Sequence, residues 1–186
     1  MDASRAPAFS GLVVREARLD ELDSVGSLLA EVYGEYRPRF PADAWERYLG
    51  EIVDVRSRLA DSVLIVAESE GQLVGTVGFY PDASLSALER WPAGWASIRT
   101  LAVLGDARRR GAGEALGVEC VRQARAQRAH AIGLHTASFM TAATRLYERL
   151  GFRHAPEFDI EIGEMFTGRS LPPEASWQAQ AFRLNL

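Results

Sequence analysis

The sequence is organised around an apolar strand pattern that runs into a turn of arginines and glycines and then into a helical pattern. The strand pattern covers residues 95–103, and the turn from Arg108 to Gly113 reads Arg-Arg-Arg-Gly-Ala-Gly. A helix that begins directly behind such a turn presents unpaired backbone N–H groups and the positive end of its dipole to an anion. The stretch therefore predicts a phosphate-binding turn, with the rest of the chain folded around it.

Length and composition favour one globular domain. The chain has 186 residues, of which 47% are hydrophobic, and chains of this size usually build a single core. We expect a flexible N-terminal arm at residues 1–10 and a single domain at residues 11–186. The arm carries an early acidic residue and no apolar segment, which disfavours a secretory signal.

Charge and apolar patterning argue against two classes of partner. The formal net charge is −4, whereas an extended nucleic-acid surface is normally basic. No run of about 18 apolar residues is present to predict a membrane span. The one cysteine, Cys120, falls at core spacing in a helical pattern, which fits a reducing compartment. We therefore expect a cytoplasmic protein that has neither nucleic acid nor membrane as a partner.

The periodicity of apolar residues predicts the order strand, two helices, three strands, helix, strand, helix and two strands. Asp20 lies where the N-cap of the first helix belongs, Pro41 where the second helix begins, and Gly151 where the last helix ends. The predicted strands are 13–17, 62–68, 72–80, 95–103, 131–136, 152–162 and 177–184, and the predicted helix behind the turn is 112–128.

The turn lacks the signatures of two common phosphate-binding families. It has no three-glycine dinucleotide fingerprint and no Gly-Lys-Ser/Thr, which disfavours a dehydrogenase or a nucleotide hydrolase. The pattern Arg-x-x-Gly-x-Gly is weak alone, but residues 146–152 read Leu-Tyr-Glu-Arg-Leu-Gly-Phe. With both motifs, the sequence resembles the GNAT superfamily of acyl-CoA-dependent N-acyltransferases. The resemblance covers the chain from Leu12 onward in element order.

This resemblance implies an α/β (α+β) fold with a mixed, splayed central sheet of about seven strands and helices on both faces. It also implies acetyl-CoA as the co-substrate and no metal. Carried over by position, the backbone of Leu101, Ala102 and Val103 pairs with the pantetheine arm. The pyrophosphate is wrapped by the residues of the turn and helix start, which are Arg108, Arg109, Arg110, Gly111, Ala112, Gly113 and Glu114.

The resemblance assigns one catalytic residue and leaves the base open. Tyr147 falls where the family often places a tyrosine that protonates the departing thiolate, although a core aromatic residue would give the same helical pattern. The family often has Glu at the position of Ser97 and Asn at that of Met140. An acceptor ammonium must lose a proton before it can attack, so His135 or water is the expected base; a structural histidine is the alternative for His135.

The expected reaction is direct acetyl transfer to a primary amine, carried by a small molecule, a peptide or a protein, in one ternary complex. The alternatives are an acyl-CoA-binding regulatory module without turnover, a different acyl donor, or no acyl-CoA binding. Glu31, Tyr33, Glu35 and Tyr36 are candidates for the acceptor entrance, together with the 81–94 and 163–176 loops. Acidic residues in these segments favour a cationic acceptor. An exposed sheet edge favours a homodimer.

Overall fold

The structure is a computed structural model in which residues 11–86, 89–161 and 178–186 are described. The predicted arm at residues 1–10 and the predicted 163–176 loop lie outside these residues. The helices are α1 (Leu22–Gly34), α2 (Ala42–Val53), α3 (Ala112–Ala126) and α4 (Thr141–Arg149). The strands are β1 (Val13–Glu16), β2 (Val63–Ser69), β3 (Gln72–Tyr80), β4 (Trp95–Val103), β5 (Ala131–Ala137), β6 (Arg153–His154), β7 (Ile160–Glu161) and β8 (Gln178–Asn185).

The strands form one mixed sheet in the order β1-β2-β3-β4-β5-β8-β6, and β7 also pairs with β8. β4 and β5 are parallel, whereas the other strand pairs of the described chain are antiparallel. A parallel pair needs a long crossover connection, which is α3 here. The predicted α/β fold with a mixed sheet is confirmed.

Helices cover both faces of the sheet because apolar side chains alternate along the buried strands. Ile65 and Ala67 of β2 belong to the cluster under α3 and α4. Leu64 and Val66 of the same strand belong to the cluster under α1 and α2. Cys120 is fully buried in the first cluster, and burial raises the pKa of its thiol. The prediction of a structural cysteine is confirmed.

β4 and β5 pair over a short stretch and then diverge. Trp95–Ile98 pair with Ala131–Leu134, after which β4 continues only along β3 and β5 only along β8. We call the gap between residues 99–103 of β4 and residues 135–137 of β5 the opening. It lies in the middle of the sheet, where a splayed sheet was expected.

A bulge in β4 marks the place where the strands separate. Thr76 pairs with Ala102 and Gly78 with Arg99, so β4 carries one extra residue there. Thr100, inside the bulge, has a φ of +54°, a conformation that residues with a Cβ adopt at a cost. A bulge increases the local twist and re-aims the strand, which turns the end of β4 away from β5.

Two local predictions are wrong. Asp20 is not the cap of α1, because residues 19–21 form a 3₁₀ turn and Glu21 stands at the N-cap position. The predicted strand at 152–162 is divided into β6 and β7, because Pro156 begins a 3₁₀ turn between them and proline has no N–H to donate. This division accounts for the eighth strand of the sheet.

Candidate active site

The N-terminus of α3 faces outward without a capping side chain. Gly111 is its N-cap residue, and the first intrahelical hydrogen bond of the described chain there joins Ala115 N to Gly111 O at 2.9 Å. The N–H groups before Ala115 therefore have no acceptor within the helix, and the helix dipole adds positive potential at the same place. This arrangement suits an anion such as a phosphate.

The two glycines of the turn have different roles. Gly111 has a φ of +95° and open space around a hypothetical Cβ, so it is required by its left-handed backbone. At Gly113 a Cβ would lie 3.2 Å from the Leu146 side chain and 3.5 Å from that of Val103. Gly113 is therefore required by the close packing of α3 on α4 and β4.

Arg108, the basic residue of the motif, points back across the turn. Its guanidinium donates to both carboxylate oxygens of Glu35, at 2.7 and 2.8 Å, and its Nε donates to Val103 O at 3.1 Å. These hydrogen bonds to Glu35 raise the pKa of the guanidinium, which stays charged. Arg109 has a φ of +62° and is exposed, as is Gly111.

Leu101, Ala102 and Val103 line one side of the opening. Ala102 and Val103 pair with β3 on their other side, and the chain then turns away where Leu104 N donates to Val74 O at 3.0 Å. Their edge toward β5 has no strand partner in the described chain. An edge of this kind can pair with an extended ligand.

Tyr147 lies on α4 with its ring against Phe152, at 5.8 Å between ring centroids. The residue is 5% exposed. Burial raises the pKa of its hydroxyl, and Tyr33, Cys120 and Tyr36 raise it further. Among the described residues this hydroxyl makes no hydrogen bond. The phenol therefore stays protonated, and its proton is not donated to a protein acceptor in this part of the chain.

His135 lies on β5 at the start of the opening. Its Nε2 is 2.8 Å from the carbonyl oxygen of Phe158, so Nε2 carries the proton of the neutral ring and donates it there. Its Nδ1 has no hydrogen-bond partner among the described residues and lies 3.8 Å from Glu89 Oε1. The Trp91 ring covers the imidazole at 4.7 Å between centroids. A proton taken up by Nδ1 would therefore face a carboxylate.

Ser97 and Met140 are structural residues. Ser97 is fully buried inside the sheet and its hydroxyl has no partner in the described chain, so it is remote from the solvent that a base must reach. Met140 is the N-cap residue of α4, and its carbonyl oxygen accepts from Ala143 N and Thr144 N at 3.0 and 3.1 Å. Neither residue takes the place of the Glu or the Asn that the resemblance led us to expect at these positions.

Aromatic residues connect the end of α1 with the β5–α4 connection. Tyr33 is buried, whereas Glu31 and Glu35 are exposed. The Tyr36 ring reaches Phe139 in the β5–α4 connection at 5.5 Å between centroids. The end of α1 therefore contacts the β5–α4 connection, and its place at the acceptor entrance stays a prediction.

Two charged residues near the opening were not predicted. Glu89 is buried, accepts a hydrogen bond from Trp91 Nε1 at 3.0 Å and lies 3.2 Å from Arg99 Nε; nothing in its loop sequence marks it. Arg99 could have been found, because an arginine inside an apolar strand is unusual.

The described residues include neither a metal-binding cluster nor a membrane-spanning helix. Within ranges 11–86, 89–161 and 178–186, no group of three or more His, Cys, Asp and Glu side chains is placed to hold a metal ion. No helix in these ranges has the length and apolar character that crossing a membrane requires.

Solved structures share the fold at low sequence identity. PaiA N-acetyltransferase from Thermoplasma acidophilum, in complex with coenzyme A, has a TM-score of 0.69 and 12% identity over 95% of this chain and 100% of its own. The ribosomal-protein-S18-alanine N-acetyltransferase of Escherichia coli has a TM-score of 0.63 and 15% identity over 94% of both chains. A GNAT family acetyltransferase from Brucella melitensis, in complex with acetyl-CoA, has a TM-score of 0.58 and 22% identity over 77% of this chain and 83% of its own.

The solved structures that share this splayed sheet and uncapped helix are N-acetyltransferases. The fold is therefore the one found in that class of enzyme. The sequence profile of the acetyltransferase (GNAT) family matches residues 25–152, which is more than half of the chain. The protein belongs to this family. No curated protein matches the chain significantly by sequence.

Proposed function

We propose that the protein transfers an acetyl group from acetyl-CoA to a primary amine, directly and within one ternary complex. The opening between β4 and β5, beside the uncapped N-terminus of α3, carries this proposal. The coenzyme A and acetyl-CoA complexes of proteins with the same fold support the choice of donor. A cytoplasmic location belongs to the proposal and is supported by the single buried thiol.

The donor would be held mainly by backbone groups. Leu101, Ala102 and Val103 would pair with the pantetheine arm as another strand would. The segment from Arg108 to Glu114 would hold the pyrophosphate, since its N–H groups and helix dipole favour an anion. Acetyl-CoA, when bound, supplies an acetyl group activated as a thioester.

The chain then contributes a hydrogen bond and two proton transfers. Leu101 N–H would donate to the thioester carbonyl oxygen and stabilise the charge that develops there. The amine nitrogen forms its bond to the acetyl carbon as the carbon–sulfur bond breaks, and the Tyr147 hydroxyl gives its proton to the departing sulfur. The nitrogen releases its second proton to water as the amide forms, and a proton from water restores the Tyr147 hydroxyl. The proton of the acceptor ammonium passes to His135 Nδ1 or to water.

A non-catalytic acyl-CoA-binding module is the second candidate. It is favoured by the buried Ser97, which cannot act as the base, and by the enclosure of His135 under Trp91. A different acyl donor on the same scaffold is a variant of the first proposal. Both alternatives keep the same ligand contacts along β4, and they differ from each other in whether the bound thioester is ever cleaved.

CoA release in the presence of a broad panel of amines tests the proposal. We expect release with acetyl-CoA that depends on an amine, together with calorimetric binding of acetyl-CoA. Tight binding without release on any amine would establish the non-catalytic module. Faster release with a longer acyl-CoA would correct the donor, and no binding of any acyl-CoA would reject the assignment of the cofactor site.

A further inference from the structure

The Glu89 carboxylate lies where the two margins of the opening begin to separate. The last residues of β4 and β5 that pair with each other are Ile98 and Leu134. Arg99 and His135 are therefore the first residues of the two margins. Glu89 Oε1 lies 3.2 Å from Arg99 Nε and 3.8 Å from His135 Nδ1. One carboxylate oxygen is thus close to both strands at the narrow end of the opening.

The loop before β4 holds this carboxylate in place. Glu89 Oε2 accepts a hydrogen bond from Trp91 Nε1 at 3.0 Å, and Glu89 N donates to Ser86 Oγ at 3.3 Å. The Trp91 ring packs on β5 at Gly133, where a Cβ would lie 2.8 Å from the ring. The glycine therefore lets the loop approach the sheet closely. The Glu89 side chain is 8% exposed, so its position is set by the protein and not by solvent.

One proton is missing between Glu89 and His135. His135 Nε2 donates to Phe158 O at 2.8 Å, so Nδ1 of the neutral ring carries only a lone pair. Nδ1 is buried without a hydrogen-bond partner in the described chain, and Glu89 Oε1 is also an acceptor. Two acceptors repel each other, whereas a proton on Nδ1 would allow a charge-assisted hydrogen bond after an approach of about 1 Å.

We propose that Glu89 is a positioning residue that makes His135 the base of the reaction. The inference rests on the proposed acetyl transfer, and it selects His135 over water as the final proton acceptor. Ser97, on the strand, offers no carboxylate, and the loop supplies one in the form of Glu89. The carboxylate stabilises the protonated ring, because an opposite charge nearby favours the charged form of a group.

The proton moves from the acceptor to the imidazole through one water molecule. An N–H bond of the acceptor ammonium breaks, and its electron pair stays on the nitrogen for the attack on the acetyl carbon. The water takes this proton and gives one of its own to His135 Nδ1. Glu89 Oε1 accepts a hydrogen bond from the new Nδ1–H, while Nε2 keeps its proton on Phe158 O. The ring returns the proton to water after the products leave.

The other charged groups around His135 limit the lifetime of its charged form. Arg99, whose guanidinium lies over the Tyr80 ring at 5.2 Å from the centroid, already balances the charge of Glu89. A second cation beside the same carboxylate therefore passes its proton on readily. The remaining charged side chains of the neighbouring turn and strands have partners of their own. These pairs are Asp159 with His154 and Glu157 with Arg183.

A glutamine at position 89 tests the role of the carboxylate, because E89Q keeps the shape of the side chain and removes its charge. We expect kcat for CoA release to fall by about tenfold or more. The KM for acetyl-CoA should not change, since the proposed donor contacts are backbone groups of β4. E89D keeps the charge and should retain more of the activity than E89Q. E157Q is the matched control, because Glu157 is exposed and paired with Arg183.

A double variant shows whether Glu89 acts through His135. In H135Q the glutamine amide can donate to Phe158 O but cannot take up a proton. E89Q should lower kcat in the parent and have no further effect in H135Q, because residues that act as a unit are not additive. E89D gives the same comparison if E89Q does not fold. Equal losses in both backgrounds would overturn the inference, as would an unchanged kcat in E89Q.

Nitrogen-15 NMR of the imidazole rings separates this inference from the proposed reaction. At acid pH, His135 of the ligand-free protein should carry protons on both ring nitrogens, with the Nδ1 proton shifted downfield by its hydrogen bond to a carboxylate. H135Q identifies the signal, E89Q should remove the downfield shift, and E157Q should keep it. This result without turnover of any amine would reject acetyl transfer and keep the proton-binding pair. Turnover with the same signal in E89Q and the parent would overturn the inference and keep the reaction.

Discussion

Two hydrogen bonds of 2.7 and 2.8 Å between Arg108 and Glu35 join the turn before α3 to the C-terminal end of α1. Glu35 is the C-cap residue of α1, and Arg108 also contacts the Val103 carbonyl at the end of β4. One guanidinium therefore connects three elements beside the opening. A bound phosphate near Arg108 would compete with Glu35 for the same donors.

This competition predicts opposite effects for the two partners. In E35Q the competing charge is lost, and the KM for acetyl-CoA should fall by a few fold, because exposed ion pairs contribute about 1 kcal/mol or less. In R108M the KM should rise about tenfold, since a charged hydrogen bond to phosphate is lost. Steady-state kinetics with varied acetyl-CoA measure both changes. A rise in KM for both variants would show that the pair organises the site instead of competing with the ligand.

Gly111→Ala should weaken donor binding and lower stability together. A residue with a Cβ in the left-handed region costs about 1–2 kcal/mol, and relief of this strain would move the first N–H groups of α3. Gly105→Ala is the control, because a Cβ there meets no atom within 4 Å and its φ is not left-handed. Thermal unfolding with and without CoA measures the effect. Equal ligand-induced stabilisation in both variants would contradict the role given to the turn.

Tyr147→Phe should lower kcat by about 10²-fold or more with little change in the KM for acetyl-CoA, because general acid catalysis contributes this much. Its stability should stay close to that of the parent, since the lost hydroxyl has no hydrogen-bond partner among the described residues. Because burial raises the pKa of Tyr147, the parent activity should not decline from Tyr147 ionisation at neutral or mildly alkaline pH. An unchanged kcat in Y147F would reassign this residue to the core.

Ser97→Ala should retain full activity, because the buried hydroxyl is neither a base nor a hydrogen-bonded group. Thr76→Val is the matched comparison in the same sheet: Thr76 Oγ1 donates to Ile65 O at 3.0 Å and is fully buried. We expect T76V to lose about 1 kcal/mol in the free energy of unfolding and S97A to lose less. Urea denaturation and CoA release measure these changes. A large loss of kcat in S97A would restore this serine to the catalytic relay.

Glu21 predicts an acid-sensitive contribution to stability. Hydrogen bonds from Arg15, aided by the Arg18 N–H, hold the pKa of Glu21 at about 2 instead of 4.5. A depressed folded-state pKa stabilises above the unfolded value, and the stabilisation is lost as pH falls from about 4.5 to about 2. E21Q should therefore be less stable than the parent at pH 7 and approach it at low pH. E16Q is the control, and a constant difference between E21Q and the parent at all pH values would contradict this assignment.

The sequence predicted the parts of the fold that depend on local patterns. Gly151 has a φ of +93° at the end of α4, as a helix-ending glycine should, and Gly111 likewise marks its turn. Asp20 was misassigned because several acidic residues near a helix start compete for one N-cap position, and the ion pairs of Glu21 with Arg15 decide between them. Only the tertiary structure shows such partners.

The candidate site was predictable where it is made of backbone and not where it is made of side chains from distant segments. Leu101 and Gly111 belong to one continuous strand and turn. Glu89 and Arg99 come from two separate segments, the loop before β4 and β4 itself, and they meet at 3.2 Å only in the folded chain. No spacing rule in the sequence connects residues that lie on different elements.

Because the ladder between β4 and β5 is short, the opening has two margins that are formed by different segments of the chain. Residues 95–98 and 131–134 hold the strands together, while the free part of β4 and the free part of β5 carry different groups. The β4 margin contributes backbone N–H and C=O groups, which are present whatever the side chains are. The β5 margin contributes the imidazole of His135. Under the proposed function, substitutions on the β5 margin can therefore change acceptor choice while the donor contacts of the β4 margin remain intact.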